Sequence, residues 1–309
     1  MRRRALFIAQ GMFAVVVIIY AGVVLHRQWS EIQRRIGSLH VAPAKLILAS
    51  LIVLAAYAVL IETWRRVLAA WDTRLEWSTA ARIWFASSLG KYVPGNIWAI
   101  AALGVMARER GASPVAAAGS SIVVNILNLA AGLAVVLVFG AKLIPHAAVF
   151  AVIAALAIAG ALAAPLLFPH VAALAARVTG RDIRMPNVPP STIWLSLAGT
   201  TVAWCAYGVA FRFFAAALLG DSAVHGGFVL YIAAYTAAYI VGFIAPFAPA
   251  GLGVREIGII EGLPLLGLTS HGDAIILALT SRLWLTILEV IPGLVALAAG
   301  HTRPRTRPA

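Results

Sequence analysis

The sequence has little charge and almost no cysteine for its length. Only 11% of its 309 residues are charged and only one is cysteine, whereas 62% are hydrophobic. The mean hydropathy is +0.94, and a soluble core of this size would need far more polar surface to cover it. The single Cys205 excludes an internal disulfide and a cysteine-based metal site. This scarcity of charge indicates an integral membrane protein.

Several motifs that would assign an activity are also missing. The seven histidines show no metal-ligand spacing, and the chain carries no Walker A loop. We therefore expect no metal, no other cofactor and no direct use of ATP. A net charge of +13 would suggest nucleic acid in a soluble protein, but these arginines cluster at the ends of apolar runs. The expected partners are anionic phosphate headgroups of membrane lipids, and nucleic acid is not expected.

Long runs of Leu, Ala, Val and Ile predict helical spans, because barrel strands would alternate polar and apolar residues. Seven runs predict spans: 5–25, 46–61 (prolonged by 62–68), 114–141, 147–168, 191–219, 226–245 and 273–299. Arg2, Arg3 and Arg4 predict a cytoplasmic N-terminus. A cytoplasmic C-terminus as well would require an even number of crossings. The predicted fold class is therefore all-α integral membrane, with about eight transmembrane helices.

The domain organisation follows from the polar connections. Residues 1–300 form a single polytopic membrane domain with pseudo-halves at about 46–168 and 191–300, divided by a proline- and arginine-rich loop. Residues 301–309 are predicted to be a disordered basic tail. Residues 73–89 mix arginines with tryptophans, which is typical of an amphipathic helix at the membrane interface.

Glycine and proline interrupt two of the apolar stretches. The first break contains Gly90, Pro94 and Gly95, and the second contains Pro246, Pro249, Gly251 and Gly253. Because unsatisfied backbone is costly in lipid, such breaks survive only inside protein or beside a water-filled cavity. Gly90 and Pro94 stand four apart, as do Gly242 and Pro246, and a short apolar segment and a long helix follow each break. This weak internal repeat of two re-entrant segments is typical of duplicated transporter halves.

Polar residues close to these breaks are the candidate substrate-binding residues. They are Lys91, Asn96, Arg255, Glu256, Arg282 and Glu289. A half-helix beginning at a break presents its N–H groups and positive dipole end to an anion, and lysine or arginine beside it suits a phosphate. Other roles remain open: snorkelling explains Lys91 equally well, helix capping explains Asn96, and an ion pair with Glu256 or Glu261 explains Arg282.

Two motifs resemble the lysylphosphatidylglycerol synthase transmembrane region family, a flippase-like membrane domain. They are residues 90–98, Gly-Lys-Tyr-Val-Pro-Gly-Asn-Ile-Trp, and residues 248–256, Ala-Pro-Ala-Gly-Leu-Gly-Val-Arg-Glu. The resemblance covers about residues 5–300. It implies about eight membrane helices with re-entrant segments, a bacterial or archaeal cell membrane, and movement of anionic lipids or lipid-linked sugars between leaflets.

The chain departs from that family in two ways. The family carries an acidic–basic pair and an aspartate in the helix after the first motif, where this chain has Asn125 and Asn128. These amides stand three apart on one helical face and are expected to turn toward other helices. No aminoacyl-transfer domain follows Ala299, so lipid aminoacylation is not expected of this chain.

Two activities remain open, together with a non-catalytic scaffold in a glycolipid pathway. The first is a lipid flippase or translocase for anionic phospholipids or polyprenyl-phosphate-linked sugars, which would not be an enzyme and would have no catalytic residues. The alternative is an integral-membrane transferase on a lipid-linked substrate, which needs a general base. Glu256, Glu261 and Glu289 are the candidates near the motifs.

Overall fold

Helices account for all the regular structure of the described residues. The structure is a computed structural model that describes residues 41–71, 73–92, 98–140, 188–244, 251 and 253–301, with a few more between 152 and 163. The helices are α1 (Pro43–Ala69), α2 (Trp77–Ser88), α3 (Trp98–Arg108), α4 (Pro114–Gly140), α5 (Pro190–Leu219), α6 (Phe228–Ile244), α7 (Val254–Leu265) and α8 (His271–His301). Short 3-10 turns occupy Leu89–Tyr92 and Asp221–Ala223. The predicted all-α membrane fold is confirmed.

Four of these helices are long and apolar enough to cross a membrane. They are α1, α4, α5 and α8, and α6 is a shorter apolar helix of 17 residues. Proline at the first turn of α1 and of α5 suits a helix start, because the missing N–H has no intrahelical acceptor there. The predicted spans at 5–25 and 147–168 lie outside the described residues, apart from the few between 152 and 163.

A short helix followed by a long one occurs once in each half of the chain. Helix α3 has 11 residues and precedes α4, and α7 has 12 residues and precedes α8. At 1.5 Å per residue each short helix is about 16–18 Å long, which is too short to cross a hydrocarbon core of about 30 Å. A glycine with positive φ follows both short helices, Gly111 (96°) and Gly267 (64°), and allows the chain to reverse there.

The long helices pack closely where small residues let their backbones approach. A Cβ placed on Gly208 of α5 would lie 2.3 Å from the Cα of Ile232 in α6, so glycine is required at that crossing. Trp284 of α8 stacks on Phe214 of α5 with ring centroids 4.5 Å apart, and its Nε1 donates to Ser50 Oγ of α1 at 2.9 Å. The last helix is thereby tied to the first described one.

Helix α2 packs inside the bundle and so differs from the predicted interfacial helix. Its Ala80 and Ile83 are buried in a core shared with α1 and α4, and Trp84 lies against Trp64 of α1. Only the first turn of α2 is exposed as an interfacial helix would be, since Trp77 is 48% exposed. The tryptophans that suggested headgroup depth serve in part as packing residues.

Candidate functional site

A cavity of about 410 Å³ lies between the helices of the two halves. All eight helices contribute to its wall. The described lining residues with polar or aromatic side chains are Tyr57, Trp84, Ser87, Ser88, Ser121, Asn125, Asn128, Trp204, Tyr207, Tyr235, Tyr239, Phe243, Arg255, Arg282, Thr286 and Glu289. Its volume falls in the range of about 300–1,000 Å³ that is usual for small-molecule sites.

Two glycines of the second break bring the start of α7 to this cavity. Gly251 (φ 68°) lies against α6, where an added Cβ would be 3.1 Å from the backbone of Gly242. Gly253 (φ 82°) is the N-cap of α7, and its N–H donates to Oε2 of Glu256 at 2.8 Å. Positive φ favours glycine at both positions. The break therefore ends in a capped half-helix, as a re-entrant segment requires.

Arg255 is the first charged residue of that half-helix and is almost entirely buried, with 6% of its surface exposed. Its Nη2 donates to Ser281 Oγ of α8 at 3.2 Å. Its guanidinium carbon lies 5.5 and 5.6 Å from the ring centroids of Tyr235 and Tyr239. Its Nε has no hydrogen-bond partner among the described residues. Arg255 is thus a buried cation in the cavity wall with one donor, Nε, left without a described partner.

Arg282 pairs with Glu256, which decides between the two partners that the sequence left open. Its Nη1 donates to Glu256 Oε1 at 2.9 Å. The side chain of Arg282 keeps 20% of its surface exposed, whereas Glu256 keeps 9%. Because Glu256 also caps α7, one carboxylate links the start of α7 to the middle of α8.

Glu289 lies two turns after Arg282 on the same face of α8 and is 6% exposed. Its Oε1 accepts a hydrogen bond of 2.5 Å from the hydroxyl of Tyr57 in α1. Sequence reasoning missed Tyr57, because it lies 232 positions away from Glu289 and sits in an ordinary apolar span. Its phenol inside an apolar run is the only signal that could have singled it out.

The rest of the described wall is uncharged and combines aliphatic residues such as Leu60 and Leu103 with amides and aromatic rings. Asn125 and Asn128 of α4 line the cavity as partly exposed residues, beside Trp84, Tyr207 and Tyr239. Asn125 Nδ2 donates to the backbone oxygen of Ser121 at 2.8 Å, within its own helix. This neutral wall was not among the predicted substrate-binding residues.

The structure thus brings four of the predicted residues together: Arg255, Glu256, Arg282 and Glu289. The backbone of Lys91 lies in the 3-10 turn after α2 with Gly90, but the Lys91 side chain is outside the described part. Asn96 and four of the predicted break residues, Pro94, Gly95, Pro246 and Pro249, also lie outside it. Within the described ranges, no group of three or more His, Cys, Asp or Glu side chains could hold a metal ion.

Comparison with known proteins gives one family. The profile of the family described as the lysylphosphatidylglycerol synthase TM region matches residues 7–293, and so includes both breaks and every described helix up to the last turns of α8. No curated protein matches the chain.

Proposed function

The chain belongs to the lysylphosphatidylglycerol synthase TM region family, a membrane domain related to lipid handling, and we propose that it is a lipid flippase. In this proposal, it moves anionic phospholipids or polyprenyl-phosphate-linked sugars between the leaflets of a cell membrane. The observation that carries the proposal is Arg255, a buried cation with an unpartnered Nε on the wall of a cavity inside the bundle.

Charge at membrane depth supports an anion as the ligand. A guanidinium inside a membrane protein is expensive to hold and usually marks a substrate or ion pathway. The described hydrogen bond of Arg255 goes to a neutral hydroxyl, and two tyrosine rings lie beside its guanidinium. Glu256 and Glu289 act on it through charge, without a described hydrogen bond to it. A phosphate oxygen would supply the missing acceptor, and guanidinium groups suit phosphate because they donate two parallel hydrogen bonds.

The location of the cavity supports movement across the membrane. A lipid headgroup carries charge that cannot enter hydrocarbon without a large desolvation cost. A cavity that is walled by both halves and carries Arg255, Arg282 and Glu289 lowers that cost along part of the path, while the lipid tails stay in the bilayer. Rocking of one half against the other around a central site is the usual transport movement of duplicated folds.

A flipping assay in proteoliposomes tests this proposal. The probes are phosphatidylglycerol and a polyprenyl phosphate, each with a fluorophore that a membrane-impermeant reductant destroys in the outer leaflet. We expect the wild type to expose inner-leaflet probe, and Arg255→Gln to slow that exposure by at least about tenfold, because one charge-assisted hydrogen bond contributes about 1.5–3 kcal/mol.

The matched control is Arg65→Gln. Arg65 is a partly exposed arginine at the far end of α1 and is bonded to Glu62 at 2.7 Å, so its loss leaves the cavity intact and the rate unchanged. Equal flipping rates for the wild type, Arg255→Gln and Arg282→Gln would contradict phosphate binding at these arginines. If the wild type flips neither probe, the proposed flippase function is contradicted.

The transferase is the second candidate and has weaker support. Two of the carboxylates considered for a general base are engaged, since Glu256 accepts from Arg282 and Gly253 and Glu289 accepts from Tyr57. Turnover of a polyprenyl-phosphate substrate by the purified protein in detergent, where no leaflets exist, would favour it over the flippase.

A further inference from the structure

The cavity has two chemically different regions. Arg255, Arg282 and Glu289 form its charged end, on α7 and α8. The neutral region is built on α2, α4, α5 and α6 and carries amides and aromatic rings. It adjoins the charged end at Tyr239, whose ring centroid lies 5.6 Å from the guanidinium carbon of Arg255. A phosphate alone would use the charged end and would leave the other region without a function.

The amides of the neutral region have unused hydrogen-bonding capacity. Asn125 donates one N–H to Ser121, and its carbonyl oxygen has no described partner. The Asn128 side chain has none either among the described residues, although its backbone oxygen accepts from Trp204 Nε1 at 2.9 Å. Each amide offers both a donor and an acceptor. Polar groups within a membrane need partners, so these two amides indicate a ligand with groups that both donate and accept.

The aromatic residues form a rigid platform beside the amides. The ring of Trp204 meets those of Tyr239 and Tyr207 edge-on, with centroids 5.3 and 6.3 Å apart. Tyr207, Tyr239 and Trp84 remain partly exposed where they line the cavity. Such rings combine an apolar face with a polar edge. They match a ligand that has C–H groups on one face and hydroxyls at its edge.

From this wall we infer that the cavity takes a phosphate that carries a compact polyhydroxyl group, such as one sugar ring or a cyclic polyol. The inference rests on the proposed function and narrows its substrate class. The phosphate lies at the charged end, the hydroxyls bond to Asn125 and Asn128, and the ring contacts Trp84, Tyr207 or Tyr239. Hydroxyls suit the amides because both groups donate and accept.

Equilibrium binding in lipid nanodiscs tests the inference, and microscale thermophoresis of the protein labelled at Cys205 follows it. A polyprenyl phosphohexose is compared with the same polyprenyl phosphate without sugar, and phosphatidylinositol is compared with phosphatidylmethanol, an anionic phosphodiester that lacks the polyol. We expect at least one polyol-bearing lipid to bind about tenfold or more tightly than its counterpart, since two added neutral hydrogen bonds suffice for that factor. The pair that shows the preference identifies the lipid carrier.

Substitution separates the two regions. The double variant Asn125→Leu/Asn128→Leu should lose the polyol preference and still bind bare polyprenyl phosphate, whereas Arg255→Gln should weaken both lipids of a pair. The control Thr201→Val removes a hydroxyl that bonds within α5 to Leu197 and does not line the cavity, and it should keep the preference. Size-exclusion profiles and thermal unfolding show whether each variant is folded.

The possible failures are distinguishable. Equal binding within both lipid pairs, or a preference that survives the double asparagine variant, would overturn the polyol inference and leave the phosphate site standing. Binding that Arg255→Gln does not weaken would instead count against the proposed function.

Discussion

At the level of single residues, Glu256 combines two structural tasks. One carboxylate oxygen accepts the Gly253 N–H at 2.8 Å, and the other accepts Arg282 Nη1 at 2.9 Å. The first bond caps α7, and the second compensates a positive charge within a membrane helix. Both tasks hold Arg255, the residue just before Glu256, at the cavity wall. Glu256 is thus a positioning residue for the proposed phosphate site.

Substitution of Glu256 should separate these tasks. Glu256→Gln keeps an acceptor for Gly253 but leaves Arg282 without its counter-charge, which we expect to cost about 3–5 kcal/mol of unfolding free energy. Glu256→Ala loses the cap as well, for about 1 kcal/mol more. The double variant Glu256→Leu/Arg282→Met removes both charges and should cost less than Glu256→Ala alone. Unfolding in detergent, followed by circular dichroism, measures all three.

The control for that series is Glu62→Gln. Glu62 pairs with Arg65 and Arg66 at the end of α1, where its side chain is 28% exposed, so its loss should cost about 0–1 kcal/mol. An equal cost at both positions, or a double variant less stable than Glu256→Ala, would contradict a buried ion pair between Glu256 and Arg282.

Sequence reasoning reached some residues of the site and not others, for physical reasons. Arg255 and Arg282 stand out because charge is rare in apolar runs, and the candidate partners for Arg282 were few. The aromatic wall gives no such signal, since Tyr207 and Tyr239 occupy ordinary positions in apolar spans. These rings come together only because α5 packs against α6. The spacing of residues within a single helix does not predict that contact.

At the level of helices, α7 depends on close contact with α6. An added Cβ on Gly258 would lie 2.9 Å from Ala238 Cβ and 3.0 Å from its Cα, whereas one on Gly262 would meet nothing within 4 Å. The two glycines are one turn apart in the same helix. Alanine substitutions at the two positions therefore separate the effect of packing against α6 from the effect of helix propensity.

We expect opposite effects from alanine at these two positions. Gly262→Ala should stabilise the protein by about 0.5–1 kcal/mol, because alanine is the better helix former. Gly258→Ala makes the same gain but forces α6 and α7 apart, and overpacking costs about 1–3 kcal/mol. Gly258→Ala should therefore lower the midpoint of thermal unfolding and slow lipid flipping, while Gly262→Ala raises the midpoint. Equal shifts would mean that α7 is not held at Gly258.

The helices themselves were largely predictable and their arrangement was not. Apolar runs located α1, α4, α5, α6 and α8, because length and hydropathy determine a span. The place of α2 inside the bundle could not be predicted, since a mixed polar and aromatic face suits an interface as well as a helix crossing. Close backbone contacts such as Gly258 with Ala238 decide that arrangement.

For the whole molecule, basic residues are unevenly distributed between the two ends of the bundle. The end where α1 finishes is also where α4 begins, because Trp64 Nε1 donates to Ser120 Oγ at 3.2 Å. The described basic residues there are Arg65, Arg66, Arg74, Arg108 and Arg110. At the other end, the described basic residues are Lys45, paired with Asp221, and Arg212, whose guanidinium lies over Phe228.

This asymmetry predicts an orientation, because cytoplasmic connections carry the excess of arginine and lysine. The arginine-rich end should face the cytoplasm, and the loop between α5 and α6 should face outward. Helix α8 starts beside that loop, since His225 N–H donates to Leu268 oxygen at 2.9 Å just before the helix begins. Its 31 residues extend about 46 Å toward the arginine-rich end. A cytoplasmic C-terminus follows, on the side predicted for the N-terminus.

Cysteine labelling on whole cells tests this orientation. The background is Cys205→Ala, and single cysteines replace Glu109, exposed near the arginine-rich end, or Gly227, exposed in the loop between α5 and α6 with no atom within 4 Å of an added Cβ. An impermeant maleimide should label Gly227→Cys in intact cells and Glu109→Cys only after the membrane is opened. The reverse pattern would contradict the orientation. It would leave the proposed cavity chemistry standing, because the charged end and the amide wall belong to the bundle whichever side they face.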